Sequence, residues 1–248
     1  MIMNVYVNEI TGITDAIVSM HMSRRSWSRC KESDIIETCD LVLDRRGKFV
    51  GDSVYTDNNH GYTNKLYNEW IDTLLKWGHK HITMLRYIDI SVTVEGLHRG
   101  GQDDWDSHAM RFNNRIIRSS TRLSNFEYEM SDYYNGKIIP TDLALQDLGI
   151  ELPEVITKDG KSYVKTVNGY IREDLKDNKD VKRGLYMLSI PSNFIFKVNL
   201  TEFAHVYKER GLHGTAHPEV KELCEQIADQ IEEMQPKFTK QLLMNIKN

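Results

Sequence analysis

Arg111, Arg115, Arg118 and Arg122 form one short basic run in a chain whose formal net charge is −4, and no acidic residue lies between Ser107 and Phe126. Their spacing of four, three and four residues would bring all four to one face of a helix. Like charges so placed repel by roughly 0.2–0.5 kcal/mol per pair, which implies an anion to neutralise. Guanidinium forks grip phosphate through paired hydrogen bonds and keep their charge at any working pH. Asn113, Asn114, Ser119, Ser120 and Ser124 add short polar groups around them. The chemistry that suits this stretch is phosphate binding. The competing reading is a surface helix whose arginines pair with acidic neighbours in the fold or in another subunit.

Such a helix needs a frame. Met3, Val5 and Val7 alternate with polar residues, so the chain opens with a strand. A short helix is expected from Asp15 to Ser23, followed by the basic, serine-rich run from Arg24 to Arg29. Leu41 to Val54 reads as a hairpin turning at Arg45-Arg46-Gly47-Lys48. A helix is expected from Thr63 to Trp77, with Leu66, Trp70, Leu74 and Trp77 on one face and Gly78 as its stop. Ile88, Ile90, Val92 and Val94 mark a half-buried strand, and Gly96 to Asp106 reads as a polar loop entering the arginine helix.

Past an aromatic, irregular stretch, a short helix is expected around Thr141 to Leu148. Residues 153–182 hold Asp159-Gly160 and Asn168-Gly169, both hairpin signals, and read as a β excursion. Arg183 to Ile190 reads as a helix ended by Pro191, and Leu200 to Arg210 as another. Pro218 opens a long last helix with Val220, Leu223, Cys224, Ile227, Ile231 and Met234 on one face. The expected architecture is one α+β domain over residues 1–248, with a mixed or antiparallel sheet and long helices.

Forty per cent hydrophobic and 27% charged residues in a 248-residue chain fit an ordinary globular protein. An acidic balance disfavours general attraction to nucleic acid or anionic membrane. Three cysteines without a CxxC pair fit a reducing compartment. No apolar run nears the ~20 residues of a membrane span, and the amino terminus lacks the apolar block of a signal peptide. The expectation is a cytoplasmic protein. No GxGxxG follows a strand and no P-loop is present. His213 and His217 lack the HExxH glutamate, and His79 and His81 lack a third partner in sequence, so no metal is expected.

Pro191-Ser192-Asn193, Lys197-Val198-Asn199, Arg210 and Ala216-His217-Pro218-Glu219-Val220 follow one another in an order that resembles the flavin-dependent thymidylate synthases. In that family a prolyl segment and a TVN-like strand end lead through a helix to an essential arginine, and an A-x-x-E-I helix start follows. Trp77-Gly78-His79, the strand to Val94 and the arginine-serine segment repeat the family's order of parts. The family signature R-H-R-x-x-S-x-N-x-x-S-x-R-Y, started at Arg115, is matched by Arg115, Ser120 and Tyr128; Ile116, Ile117 and Arg122 depart from it.

The resemblance implies a homotetramer binding FAD, a pyrimidine deoxynucleotide and methylenetetrahydrofolate, with NADPH as co-substrate and flavin hydride replacing an enzyme cysteine. It places Arg210 at the pyrimidine as the catalytic cation. His79, His81, Arg115, Arg118, Asn199 and His205 would bind FAD. Arg111, Ser119, Ser120, Arg122, Ser124 and Arg183 would bind the nucleotide, Arg183 standing in for a family arginine expected at Met187. Two alternatives stay open. The altered signature admits a changed reaction on the same fold, such as hydroxymethylation of a pyrimidine nucleotide. The same arginines, with Arg24, Arg25, Arg29 and Trp27, could instead serve a non-catalytic nucleotide- or RNA-binding protein.

Overall fold

A computed structural model of the protein describes residues 3–23, 30–51, 60–78, 81–108, 115–120, 130–135, 139, 141–178, 181, 185–213 and 216–246. Alternating side chains build a four-stranded sheet from β1 (Asn4–Thr11), β2 (Asp89–His98), β3 (Arg115–Arg118) and β7 (Pro191–Asn199), in the order β1-β2-β7-β3. β2 carries the clearest pattern: Ile90, Val92 and Val94 are fully buried while Asp89, Ser91 and Thr93 are half-buried. A second, antiparallel sheet of β4 (Val155–Lys158), β5 (Lys161–Thr166) and β6 (Gly169–Arg172) fills the expected β excursion. Its first turn has positive φ at both Asp159 (53°) and Gly160 (71°), as a two-residue hairpin loop demands. The protein is α+β.

The backbone groups into two units. One comprises Met1–Asn4, Val94–Asp103 and Arg118–Phe194; the other comprises Val5–Thr93, Asp104–Ile117 and Ile195–Asn248. The second unit carries most of the core. Its helices are α1 (Ile13–Met22), α2 (Glu32–Val42), α3 (His60–Gly78), α6 (Leu200–Val206), α7 (Pro218–Met234) and α8 (Lys240–Asn245), with a 3₁₀ turn at Ile82–Tyr87. α7 is the helix expected from Pro218. It buries Val220, Leu223, Cys224, Ile227, Ile231 and Met234, and its start is capped by His217 Nδ1, which accepts from the Glu219 amide at 3.2 Å. From α7, Gln230 reaches the edge strand. Its Oε1 accepts from the Val7 amide and its Nε2 donates to the Val5 carbonyl, both at 2.8 Å. Arg46 adds bonds to the carbonyls of Asn8 (2.8 Å) and Val7 (2.7 Å).

Two glycines of this unit are fixed by close approach. Gly12 precedes α1 with φ +78°, and a Cβ there would lie 1.9 Å from the Tyr87 carbonyl oxygen. At Gly78, the last residue of α3, a Cβ would come within 2.6 Å of Leu85. The expected helix stop at Gly78 is therefore also a packing requirement.

Four expectations are corrected. The hairpin from Leu41 is realised only in part: Ile35, Thr38, Cys39 and Val42 are buried at helical spacing and make the chain helix α2 as far as Val42, while the turn at Arg45–Lys48 closes through the Asp44 amide on the Lys48 carbonyl (2.9 Å), the Val50 amide on the Val42 carbonyl (2.9 Å) and the bridge Leu43–Phe49. The polar loop from Gly96 to Asp106 is largely helix α4 (Arg99–His108), whose Gln102 and Trp105 are buried. Burial of these two side chains overrides the loop-like glycines and aspartates. The arginine helix is absent from its described part: residues 115–118 are strand β3, and the Ser119 amide donates to the Asn193 carbonyl at 2.8 Å. Adjacent β-branched Ile116 and Ile117 favour the extended form, so no helical face lines up the arginines there. Finally, residues 185–190 form turns rather than the end of a helix, because the carbonyls of Leu188 and Ile190 accept from the amides of Gly100 and Arg99.

The remaining elements of the first unit include α5 (Thr141–Asp147), close to the expected Thr141–Leu148. No helix among the described residues is long and apolar enough to cross a membrane.

Candidate functional site

Asn199, at the end of β7, starts the segment that carries Arg210. Its Oδ1 accepts from the amides of Thr201 (3.1 Å) and Glu202 (3.0 Å) and from the Thr201 hydroxyl (2.6 Å). These bonds cap α6 and occupy the side-chain oxygen, leaving the amide NH₂ edge for other partners. After α6 the helix widens into a π turn at Tyr207–Gly211, closed by the Leu212 amide on the Tyr207 carbonyl at 3.0 Å. Gly211 makes the turn possible, since a Cβ there would meet the Tyr207 ring at 2.9 Å and Cys224 at 3.0 Å. One-turn π bulges of this kind concentrate at functional sites.

Arg210 projects from that turn with 21% of its side chain exposed, and its Nη2 pairs with Asp104 Oδ1 at 3.3 Å. Among the described residues, Nη1 makes only a long 3.4 Å contact to the Glu209 carbonyl, and Nε is buried with no hydrogen-bond partner. A buried N–H left unused costs about 1–3 kcal/mol. Such a donor is the kind of group that an arriving carbonyl or phosphate oxygen satisfies. Beneath it lies the Cys224 thiol, pushed up to about 12 by burial and by Glu225 and Asp104, against the opposing pull of Arg210. Burial likewise raises Cys39 to about 11, and Cys30 is raised by burial and Asp34. All three thiols stay protonated near neutral pH, so none is a ready thiolate nucleophile.

Of the other expected site residues in this unit, His205 lies half-buried on α6. His81 is exposed and stacks on Trp77, with ring centroids 5.7 Å apart and planes 18° from parallel. Arg115 opens β3.

The first unit holds a separate polar group. Arg118 Nη1 pairs with Asp103 Oδ1 at 3.0 Å, which is the competing reading of the arginine run realised at one position. Ser119 Oγ accepts from the Asn193 amide at 3.2 Å and keeps its own O–H to donate. Asn193 Oδ1 accepts from the Gly96 amide at 2.9 Å, tying β2 to the start of β7. Ser120 is exposed. His79, Arg111, Arg122, Ser124 and Arg183 lie outside the described residues, as do Arg24, Arg25, Trp27 and Arg29.

Asn199, His205 and Arg210 thus share one continuous segment, whereas Arg118 and Ser119 share the other unit with Asp103 and Asn193. Sequence reasoning missed Asp103, Asp104 and Asn193. The available signal was the acidic pair Asp103-Asp104 immediately before an acid-free basic run, and it was masked by reading that stretch as a loop.

A protein-family model described as "Thymidylate synthase complementing protein" matches residues 13–237. No curated protein sequence matches the chain significantly. Among solved structures, Thymidylate Synthase X (ThyX) from Helicobacter pylori, crystallised with FAD and dUMP, is similar with a TM-score of 0.56 and 10% identity, over 98% of this chain and 100% of its own. A second structure, flavin dependent thymidylate synthase ThyX from Helicobacter pylori complexed with FAD and dUMP, gives a TM-score of 0.54 at 10% identity, over 99% of this chain and 100% of its own. At such identity the structural likeness establishes the fold, and the family rests on the match that runs from the first residue of α1 to beyond the end of α7. By that match the chain belongs to the thymidylate synthase complementing protein family.

Proposed function

We propose that the chain is a flavin-dependent thymidylate synthase-like enzyme that transfers a one-carbon unit from methylenetetrahydrofolate to a deoxyuridylate-type nucleotide, with NADPH as the reductant. The observation that carries this reading is Arg210, held in a π turn with a buried Nε–H that no group among the described residues uses. Its family match and the FAD and dUMP in the similar Helicobacter pylori structures give that donor a partner of the right chemistry. An arginine at a pyrimidine carbonyl is a fixed cation that stabilises negative charge developing on the ring during attack.

The residues present fit the implied groups. Arg210 offers an unused donor to a carbonyl oxygen, and Ser119 offers a hydroxyl hydrogen to a phosphate. In this reading Arg111, Ser119, Ser120, Arg122, Ser124 and Arg183 hold the nucleotide phosphate and sugar. His79, His81, Arg115, Arg118, Asn199 and His205 hold FAD, with Arg118 exchanging Asp103 for a ligand oxygen or keeping both. FAD held there and reduced by NADPH would supply the hydride, a role that the protonated state of all three thiols leaves open to it. Assembly as a homotetramer belongs to the same proposal.

The test is optical and then chemical. The purified protein is expected to be yellow, or to take up added FAD, with absorbance near ~450 nm. A protein that stays colourless with excess FAD overturns the reading. Incubation with dUMP, methylenetetrahydrofolate and NADPH should yield a methylated nucleotide by mass spectrometry. A hydroxymethylated product would transfer the assignment to the altered reaction that the departures at Ile116, Ile117 and Arg122 favour.

A further inference from the structure

Arg210 and Asp104 come from distant parts of the chain, a π turn after α6 and the middle of α4, yet their side chains meet at 3.3 Å. Both are partly buried, with 21% and 31% of their side chains exposed. An arginine has a long, rotamer-rich stem, and its aim is set by whatever holds its head. Among the described residues the head has two protein contacts, Asp104 Oδ1 on Nη2 and the long contact from Nη1 to the neighbouring Glu209 carbonyl. The second comes from the adjoining residue and constrains the stem weakly. Among the described residues, Asp104 therefore supplies the one anchor from another element. It engages a terminal nitrogen and leaves Nε, the buried and unused donor, for something else.

We propose that Asp104 is the positioning residue for Arg210, fixing the guanidinium so that its remaining donors meet an acceptor oxygen of a bound pyrimidine nucleotide. This inference rests on the reading of the protein as a pyrimidine nucleotide enzyme and names a residue that the reading does not require. Asp104 acts through Arg210 and does not itself touch the substrate. Two features follow from that chain of contacts. Removing Asp104 should weaken nucleotide binding without releasing FAD, and its effect should vanish once Arg210 is gone, because two groups acting through one contact are not additive.

The experiment is a double-variant cycle read by calorimetric titration of dUMP into FAD-loaded protein, with flavin content measured by absorbance. Asp104→Ala is expected to weaken dUMP binding at least tenfold at unchanged FAD content. Arg210→Ala is expected to weaken it at least as much, and the double variant no further than Arg210→Ala alone. Asp104→Glu should recover part of the loss. Should Asp104→Ala fail to fold, Asp104→Asn keeps the shape and one acceptor oxygen while removing the charge, and a loss of several-fold is expected. Wild-type affinity in the Asp104 variants, or losses that add in the double variant, would overturn the inference while leaving the enzyme assignment intact. A wild-type protein that binds neither FAD nor dUMP defeats the assignment and this inference together.

Discussion

In the four-stranded sheet, Ile90 and Val92 of β2 are 0% exposed, whereas in the three-stranded sheet Ile171 is the one buried apolar side chain among the described residues and Val155 at the edge is 53% exposed. The first sheet is held by burial against helices, which acts over long sequence separations. The second is held by its turns and cross-strand pairs, Val155 with Val164 and Tyr163 with Arg172 among them, which act locally. Asn199 and Arg210 follow the first pattern, Asn199 ending the largely buried β7 and Arg210 lying eleven positions later, whereas Arg118 ends β3, where Ile117 is 73% exposed. The lesson is that positional precision lies where burial is complete, and the locally held sheet can vary with little effect on it.

Substitutions can break or sharpen that contrast. The largest effect is expected from Gly12→Ala, which combines φ +78° with a Cβ 1.9 Å from the Tyr87 carbonyl oxygen. A loss of about 4 kcal/mol or more, or failure to fold, should appear in urea denaturation. The matching Gly160→Ala in the meander has φ +71° and nothing within 4 Å of the new methyl group, so about 1–2 kcal/mol is expected there. Equal losses for the two would erase the distinction.

Next comes burial itself. Ile90→Ala in β2 should cost about 2–5 kcal/mol, whereas Val155→Ala in β4 should stay within about 0.5 kcal/mol. Thermal melts of the two variants test this. A large loss at Val155 would show that the small sheet is covered in solution.

The smallest effect is chemical. Cys39 and Cys224 titrate in the native state at about 11 and about 12, against an ordinary value of 9.0. Each raised thiol stabilises the native state fully below pH 9, and that contribution declines as pH rises toward the native values, because the unfolded chain loses its proton first. The slope is at most about 1.4 kcal/mol per pH unit for each thiol. A Cys224→Ala variant should lose stability less steeply above pH 9, and an unchanged slope would count against the burial of that thiol.

Much of this fold was legible from local pattern. The alternation in β2, the Asp159-Gly160 and Asn168-Gly169 turns and the stripe of α7 after Pro218 each carry their own signal within a few residues. α4 did not, because Gly100, Gly101, Asp103 and Asp104 look like a loop until Gln102 and Trp105 find their burial. The arginine run misled for a related reason: its spacing fits a helix, but pairing of Ser119 with Asn193 fixes the segment as strand. Arg210 was reached through an ordered resemblance across the carboxy-terminal half. Asp104 was not, since an ion pair to a residue so far along the chain leaves no periodicity to read.

Gln230 and Arg46 have a consequence for self-association. They occupy the Val7 amide and the carbonyls of Val5, Val7 and Asn8 along β1, and the Ile10 amide is taken by the Arg46 carbonyl. A strand arriving from another molecule would have to displace a glutamine amide and a guanidinium before it could zip onto that border. A continuous intermolecular ribbon growing from β1 is therefore sealed off.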